Sequence, residues 1–435
     1  MNYKNANISF LIIIFISIIM IAGNITKGLD WGDDNASYIM QAKSILDGSL
    51  KEFICSNQFT IENSTDLPVP IAYPWGLPVL LVPLIYLFGT KMIALKSIGY
   101  LSYFFFLILI IVGFNKVHSK LWHILLVCIF AFHPVLLLYT DFIGSDIPFL
   151  LISTSAILLI NKIIVNKTQL ISRKIDHLII GIIIFIAFFL RTNGILLLIT
   201  LALSQLYSYF ISFLSYQKQI RRFNEFLKLF RDILFIREIK TNRSLIYLLP
   251  YITFFCLVLL ERFIFPKGGG ILYLSLIKNL SIDSIKDQIL YYVELPSDFF
   301  SGLPLKFLIF GATIPIAISG VIKRLNSDYD SFFYLILNFV MLIIYPYRAG
   351  SIRFLFPVLP FYISFVITGF ESYIESKSLI SSKLKKIVCI LPVILIIFWF
   401  AEDSTKIIKK NVKQNNSKRP PSKTVALIKR PSKRG

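Results

Sequence analysis

The side chains best placed to do chemistry in this sequence are carboxylates and guanidiniums that stand at the ends of apolar runs. Asp33 and Asp34 sit side by side in Gly32-Asp33-Asp34-Asn35-Ala36-Ser37-Tyr38, just after the first apolar stretch. A carboxylate in such a place can take the proton of an acceptor hydroxyl or amine, or hold a divalent cation. A second acidic position lies in Tyr139-Thr140-Asp141-Phe142-Ile143-Gly144-Ser145-Asp146-Ile147-Pro148, where Asp141 and Asp146 are alternatives. Arg191, Arg348 and Arg353 are the cations at comparable run ends. Guanidiniums there can offset charge growing on a departing phosphate.

Each of these residues also has a plainer account. Asp34 and Asp146 suit helix N-caps, Arg191 suits a side chain reaching from a span end to lipid headgroups, and Arg348 and Arg353 flank a short turn where acidic loops can pair with them. The joint arrangement, two acidic positions and a set of arginines beside membrane spans, points to function, because ionisable groups there mark substrate pathways.

The elements that must hold them are membrane helices. Of the 435 residues 56% are hydrophobic, the mean hydropathy is +0.73, and apolar runs recur at about the roughly 20 residues a spanning helix needs. A lipid-exposed backbone must satisfy its own hydrogen bonds, and these runs far exceed a barrel strand, so the fold class is all-α and polytopic. About eleven spans are expected: one near Ile8 to Ala22, read as a retained helix and not a cleaved signal, then Ile93 to Val112, Leu121 to Tyr139, Ile147 to Ile160, His177 to Leu190, Ile195 to Phe213, Leu245 to Leu260, Pro304 to Ile322, Phe332 to Ile344, Phe354 to Phe370 and Ile387 to Phe400. The stretch after Tyr73-Pro74-Trp75-Gly76-Leu77-Pro78 is short and broken by Pro78 and Pro83, which predicts a juxtamembrane or re-entrant helix.

Lysines and arginines cluster in alternate connections, including Lys116, Lys120, Lys162, Arg173, Lys174, Lys323, Arg324 and Lys383. By the positive-inside rule these connections are cytoplasmic, which puts the acidic first loop and Asp34 on the other face. The basic tail after Asp403 resists this rule, since an odd count of spans leaves it outside. Residues 1–401 form one membrane domain on this reading. Within it, residues 24–92 are the first external loop, with a helix over Asn35 to Asp47 opened by Asp34 and closed by Gly48. Residues 216–243 are a basic amphipathic cytoplasmic segment, residues 263–302 a second external loop, and residues 402–435 the tail.

Other chemistries find little purchase. The net charge of +21 is split into short clusters between apolar runs, which fits membrane orientation and excludes a nucleic-acid surface. His118, His123, His133 and His177 have no zinc spacing, Gly268-Gly269-Gly270 lacks the Lys-Ser/Thr of a phosphate loop, and Cys55, Cys128, Cys256 and Cys389 form no disulfide framework. Carboxylates and arginines on one membrane face, with no nucleotide-binding stretch, suit sugar transfer from a polyprenyl-phosphate donor.

Gly32 to Tyr38, running on to Ala42-Lys43-Ser44-Ile45-Leu46-Asp47-Gly48, resembles the first-loop motif of the GT-C membrane glycosyltransferases, above all the protein-mannosyltransferase and aminoarabinose-transferase group. Tyr73-Pro74-Trp75-Gly76, Gly144-Ser145-Asp146-Ile147-Pro148, Arg191-Thr192-Asn193-Gly194 and Arg353-Phe354-Leu355-Phe356-Pro357 are similar to that family's later motifs and keep their order. The resemblance implies an inverting hexosyl- or pentosyltransferase that acts on the non-cytoplasmic face. It gives Asp34, with Asp33 beside it, the part of base or acceptor orienter. Tyr38, Tyr73, Asp146, Arg191, Arg348 and Arg353 become substrate-binding residues. Asp34 and Asp146 would be the ligands of a divalent cation, Mg or Mn, where one is used. The implied partners are the lipid-phosphate sugar, membrane lipids and a glycan, lipid or protein acceptor.

Two departures stand out. Tyr73 occupies the place of a phosphate-gripping lysine found in some members, and no large soluble domain follows the last apolar run, unlike an oligosaccharyltransferase catalytic subunit. Asn-x-Ser/Thr triplets at Asn24, Asn35 and Asn63 share the first loop, and a glycan on Asn35 would crowd Asp34, which favours a bacterial plasma membrane. The rival reading is a transporter or flippase of a lipid-linked saccharide, which calls for ionisable residues at mid-membrane and for related halves. A polymerase using external arginines is a third, with no use for the Asp pair.

Overall fold

A computed structural model describes residues 3–28, 33–64, 70–217, 244–266, 281–301, 303, 305–344, 352–376 and 381–416. The secondary structure of the described residues is helical, in a multi-pass membrane protein. The helices are α1 (Tyr3–Asn24), α2 (Asp33–Leu46), α3 (Leu50–Ser64), α4 (Gly76–Phe88), α5 (Met92–Gly113), α6 (Lys120–Ala131), α7 (Pro134–Thr140) and α8 (Asp146–Ile160). They continue as α9 (Arg173–Leu190), α10 (Ile195–Gln217), α11 (Ser244–Ile264), α12 (Ile282–Glu294), α13 (Lys306–Arg324), α14 (Tyr329–Ile344), α15 (Leu359–Glu375) and α16 (Ser382–Asn416). Short 3₁₀ turns cover Thr192–Gly194, Leu295–Phe300 and Ile352–Val358.

Seven of the described helical spans are long and apolar enough to cross a bilayer: α5, α8 together with the π-helical turn Asn161–Val165 that continues it, α10, α11, α13, α15 together with the 3₁₀ turn Ile352–Val358 that leads into it, and α16. The bent pair α6 and α7 makes an eighth. The expected figure of about eleven also counts α1 and α14, whose apolar parts are shorter, and α9, which opens on Arg173, Lys174 and Asp176. Length and composition by themselves do not establish those three.

The span expected from Leu121 to Tyr139 is not one straight helix. It bends by 50° where α6 gives way to α7. Pro134 is the cause: it has no N–H to give and crowds the preceding residue out of the helical region, and His133 accordingly takes an extended backbone. The last span also differs from its expected end at Phe400, because α16 runs unbroken to Asn416, across the boundary drawn at 401/402. The amphipathic segment of 216–243 lies outside the described residues apart from its first two, which end α10.

α8 is the axis of the site half. It packs against α5, α9 and the Ile352–Val358 turn, while α2 rests on α4 and α1 runs beside α16. The basic connections gather at one end of the bundle, where Arg324 meets Asp328 at 2.8 Å and Lys323 meets Glu375 at 2.6 Å. The first loop and the start of α8 lie at the other. At that same end Asn411 Nδ2 donates to the carbonyl of Asn24 at 3.0 Å, so the end of α16 shares a face with the first loop.

Candidate functional site

Asp34 lies in the first turn of α2, which starts one residue earlier, so it is not the N-cap the sequence suggested. Its carboxylate turns to the protein: the Tyr73 hydroxyl donates to Oδ1 at 2.5 Å, and Arg353 Nη1 lies 3.5 Å from Oδ2. Gly48, at φ 68°, ends α2 in the left-handed conformation that glycine adopts most cheaply. The 70s segment is held to α2 by a buried amide: Gln41 Nε2 donates to the Tyr73 carbonyl and the Tyr73 N–H donates to Gln41 Oε1, both at 2.9 Å. Its other side rests on the end of α9. A Cβ at Gly76 would come within 2.5 Å of the Phe189 carbonyl oxygen, so this approach requires glycine.

Asp146 opens α8 but caps nothing. It forms a largely buried ion pair with Arg191, which the turn after α9 aims inward instead of out to the headgroups. Tyr38 joins the two halves. Its hydroxyl lies 3.2 Å from Ser145 Oγ and its ring 4.8 Å from that of Tyr73. Burial pushes its phenol up to about 12; Arg191 and the Ser145 hydrogen bond oppose that rise, while the charges of Asp146 and Asp34 add to it. The Arg191 and Arg353 guanidiniums both lie over the Phe354 ring, at 5.2 and 5.4 Å from its centroid. Two cations beside one aromatic ring, each turned to a carboxylate, make a receptor that an incoming anion can enter by exchange.

Of the two acidic alternatives, Asp146 is the one beside these arginines. Asp141 is bonded instead within a buried cluster with Thr26, Lys96 and Tyr100. The backbone of Asp33 is in α2, and Arg348 lies outside the described residues. Gln41 and Ser145 escaped sequence reasoning. Both are polar residues on short elements with many polar neighbours, and the one available signal, Gln41 among the apolar residues of α2, is faint.

The donors do not make an evident cation site. No group of three His, Cys, Asp or Glu side chains able to hold a metal occurs among the described residues. Asp34 and Asp146 each face a guanidinium, and a cation shared by them would have to displace both.

No family model matches the sequence, and no curated protein does. Solved structures align with the chain, two of them as follows. One is ArnT from Cupriavidus metallidurans in the apo state, with 10% identity and a TM-score of 0.48 over 92% of this chain and 75% of that one. The other is the archaeal oligosaccharyltransferase AglB from Archaeoglobus fulgidus in complex with an inhibitory peptide and a dolichol-phosphate, with 12% identity and a TM-score of 0.50 over 95% of this chain. The chain spans 56% of AglB. At this identity the likeness is one of fold alone: the chain shares the helical membrane fold of the AglB structure.

Proposed function

We propose that this protein is a membrane glycosyltransferase that moves a monosaccharide from a polyprenyl-phosphate donor to an envelope acceptor, on the non-cytoplasmic face of a bacterial plasma membrane. The observation that carries this reading is the meeting of a half-exposed carboxylate, Asp34, with Arg353, which shares the Phe354 ring with the Asp146-paired Arg191, from segments far apart in the chain. The bond between the sugar's anomeric carbon and the donor phosphate breaks as a bond from that carbon to the acceptor oxygen forms, with inversion. Asp34 takes the acceptor proton. Two of its roughly four lone-pair sites face Tyr73 and Arg353, which leaves room for an acceptor. The phosphate departs with the electron pair, and Arg353, with Arg191 behind it, meets its growing charge. The dolichol-phosphate in the AglB complex is a lipid phosphate of the class this reading needs.

The test is mass spectrometry of envelope lipids, glycans and proteins from cells carrying the wild-type gene, the Asp34→Asn form or neither. A monosaccharide increment is expected with the wild type alone; its persistence in Asp34→Asn overturns the role given to that residue. Purified protein in nanodiscs, which have no second compartment, should transfer sugar as well, whereas a flippase would not. With arginines as the phosphate's counter-charges, that transfer should survive a chelator, and its loss, restored by Mg or Mn, would return the cation to the site.

A further inference from the structure

A 35-residue helix such as α16 spans about 52 Å at a rise of about 1.5 Å per residue, against about 30 Å of hydrocarbon, so its last turns extend past the apolar layer. Those turns carry two stripes. Ser404, Ile408, Asn411 and Asn415, spaced for one helix face, are bound to the protein. Ser404 Oγ donates to the Phe132 carbonyl at 2.9 Å, Ile408 lies against Gly23, and Asn415 Nδ2 donates to the Ile25 carbonyl at 2.6 Å. Away from that face stand Lys406, Lys409, Lys410 and Lys413, all exposed, again spaced for one face. Lys406 pairs with Glu402 and Asp403, each at 3.0 Å. Lys409, Lys410 and Lys413 have no acidic partner among the described residues.

The depth of these lysines follows from the docking. Asn411 is bonded to Asn24, the last residue of α1, whose apolar run stops at Ala22. The lysine stripe therefore stands at headgroup level on the site face. Beside it an open groove of about 340 Å³ lies between α7 and α16, lined mainly by Pro134, Val135, Leu138, Asp403, Lys406 and Ile407. Lys410 is one turn farther out along the groove's own edge of α16. Hydrocarbon fits the α7 wall, and the charge of Asp403 is met by Lys406.

We infer that this surface binds an anionic phospholipid of the leaflet on the site face, with an acyl chain in the groove and the phosphate against Lys410 and its flanking lysines. A lipid suits both halves of the site, where a soluble polyanion would leave the apolar groove empty. The inference rests on the membrane fold and is independent of sugar transfer.

The full chain, purified and incubated with equal amounts of phosphatidylglycerol and phosphatidylcholine, is read by native mass spectrometry. The expected preference for phosphatidylglycerol is roughly fivefold, given attraction from several lysines. The combined Lys406→Gln, Lys409→Gln, Lys410→Gln and Lys413→Gln variant should bind the two lipids equally while unfolding at the wild-type temperature, and four Lys→Arg changes should keep the preference. Val135→Trp, which fills the groove, should lower retention of both lipids. Equal binding by the wild type, an unchanged preference in the glutamine variant, or a preference lost only when residues 417–435 are removed overturns the proposal.

Discussion

One short loop ends in two aspartates, and their surroundings are opposites. Asp141 accepts from the Thr26 N–H at 2.9 Å, from Lys96 at 2.9 Å and from the hydroxyls of Thr26 and Tyr100, with its side chain 5% and that of Lys96 1% exposed. Asp146, at the far end of the loop, pairs with Arg191 and borders the pocket of Asp34, whose side chain is 46% exposed and whose arginine stands off at 3.5 Å. Both regions hold a carboxylate against a cation at the membrane's edge. The difference is saturation: an acid whose lone pairs are all taken cannot receive a substrate proton, and one held by a single hydroxyl and a distant guanidinium can. The Asp141 cluster therefore reads as a clasp that ties α1, α5 and the loop together, and the Asp34 pocket reads as the place for chemistry.

Substitutions should separate the two regions most sharply at their centres. On the proposed reading, Asp34→Asn should cut sugar transfer by about 10²- to 10⁴-fold, the usual worth of a general base, and leave the unfolding temperature in detergent unchanged. Lys96→Met should do the reverse. Leaving Asp141 buried and unpaired costs about 3–5 kcal/mol, read as a large fall in unfolding temperature, while transfer per folded molecule stays near normal. Adding Asp141→Leu to Lys96→Met should recover much of that loss, because the stranded charge is gone. Loss of transfer in Lys96→Met at full stability would erase the distinction.

A smaller contrast lies within the pocket. Arg191 is committed to Asp146 inside the protein, whereas Arg353 is more exposed and farther from its acid. Arg353→Gln should weaken transfer by roughly 10- to 100-fold, mostly as a higher KM for the lipid-phosphate donor, in line with about 1.5–3 kcal/mol for a charged hydrogen bond. Arg191→Gln should also lower the unfolding temperature, since Asp146 then loses its buried partner. Equal effects on stability would mean that Arg353 is as structural as Arg191.

Much of this pocket was legible because carboxylates and arginines at the ends of apolar runs are costly to place without reason. Asp34, Asp146, Arg191 and Arg353 were singled out that way, and the fold brings them to one end of the bundle. The choice between Asp141 and Asp146 was not legible. Both sit near the same span end, and what parts them is Lys96 and Tyr100 on α5, a tertiary contact that spacing does not encode. Lys96 drew no reading of its own from the sequence, although it falls inside the apolar run from Ile93 to Val112. Tyr73 read as a departure from a phosphate grip; in the fold its hydroxyl holds Asp34. The bend at Pro134 and the continuation of α16 were missed for different reasons. The bend was hidden by an unbroken apolar run, and the continuation followed a run that stopped, although docking of Ser404, Asn411 and Asn415 keeps the polar turns helical.

The smallest expected effect concerns pH. Tyr38 is enclosed by the pocket, its phenol pushed up to about 12 chiefly by burial, whereas an unfolded tyrosine titrates near 10. The folded protein therefore holds more protons than the unfolded chain between those values. The stability this group contributes is fully present below about pH 10 and is lost as pH rises toward 12. Thermal unfolding measured from pH 9 upward should fall less steeply in Tyr38→Phe than in the wild type. Parallel curves would show that Tyr38 is not enclosed, and that the pocket is more open than the clasp by a wider margin than the geometry gives.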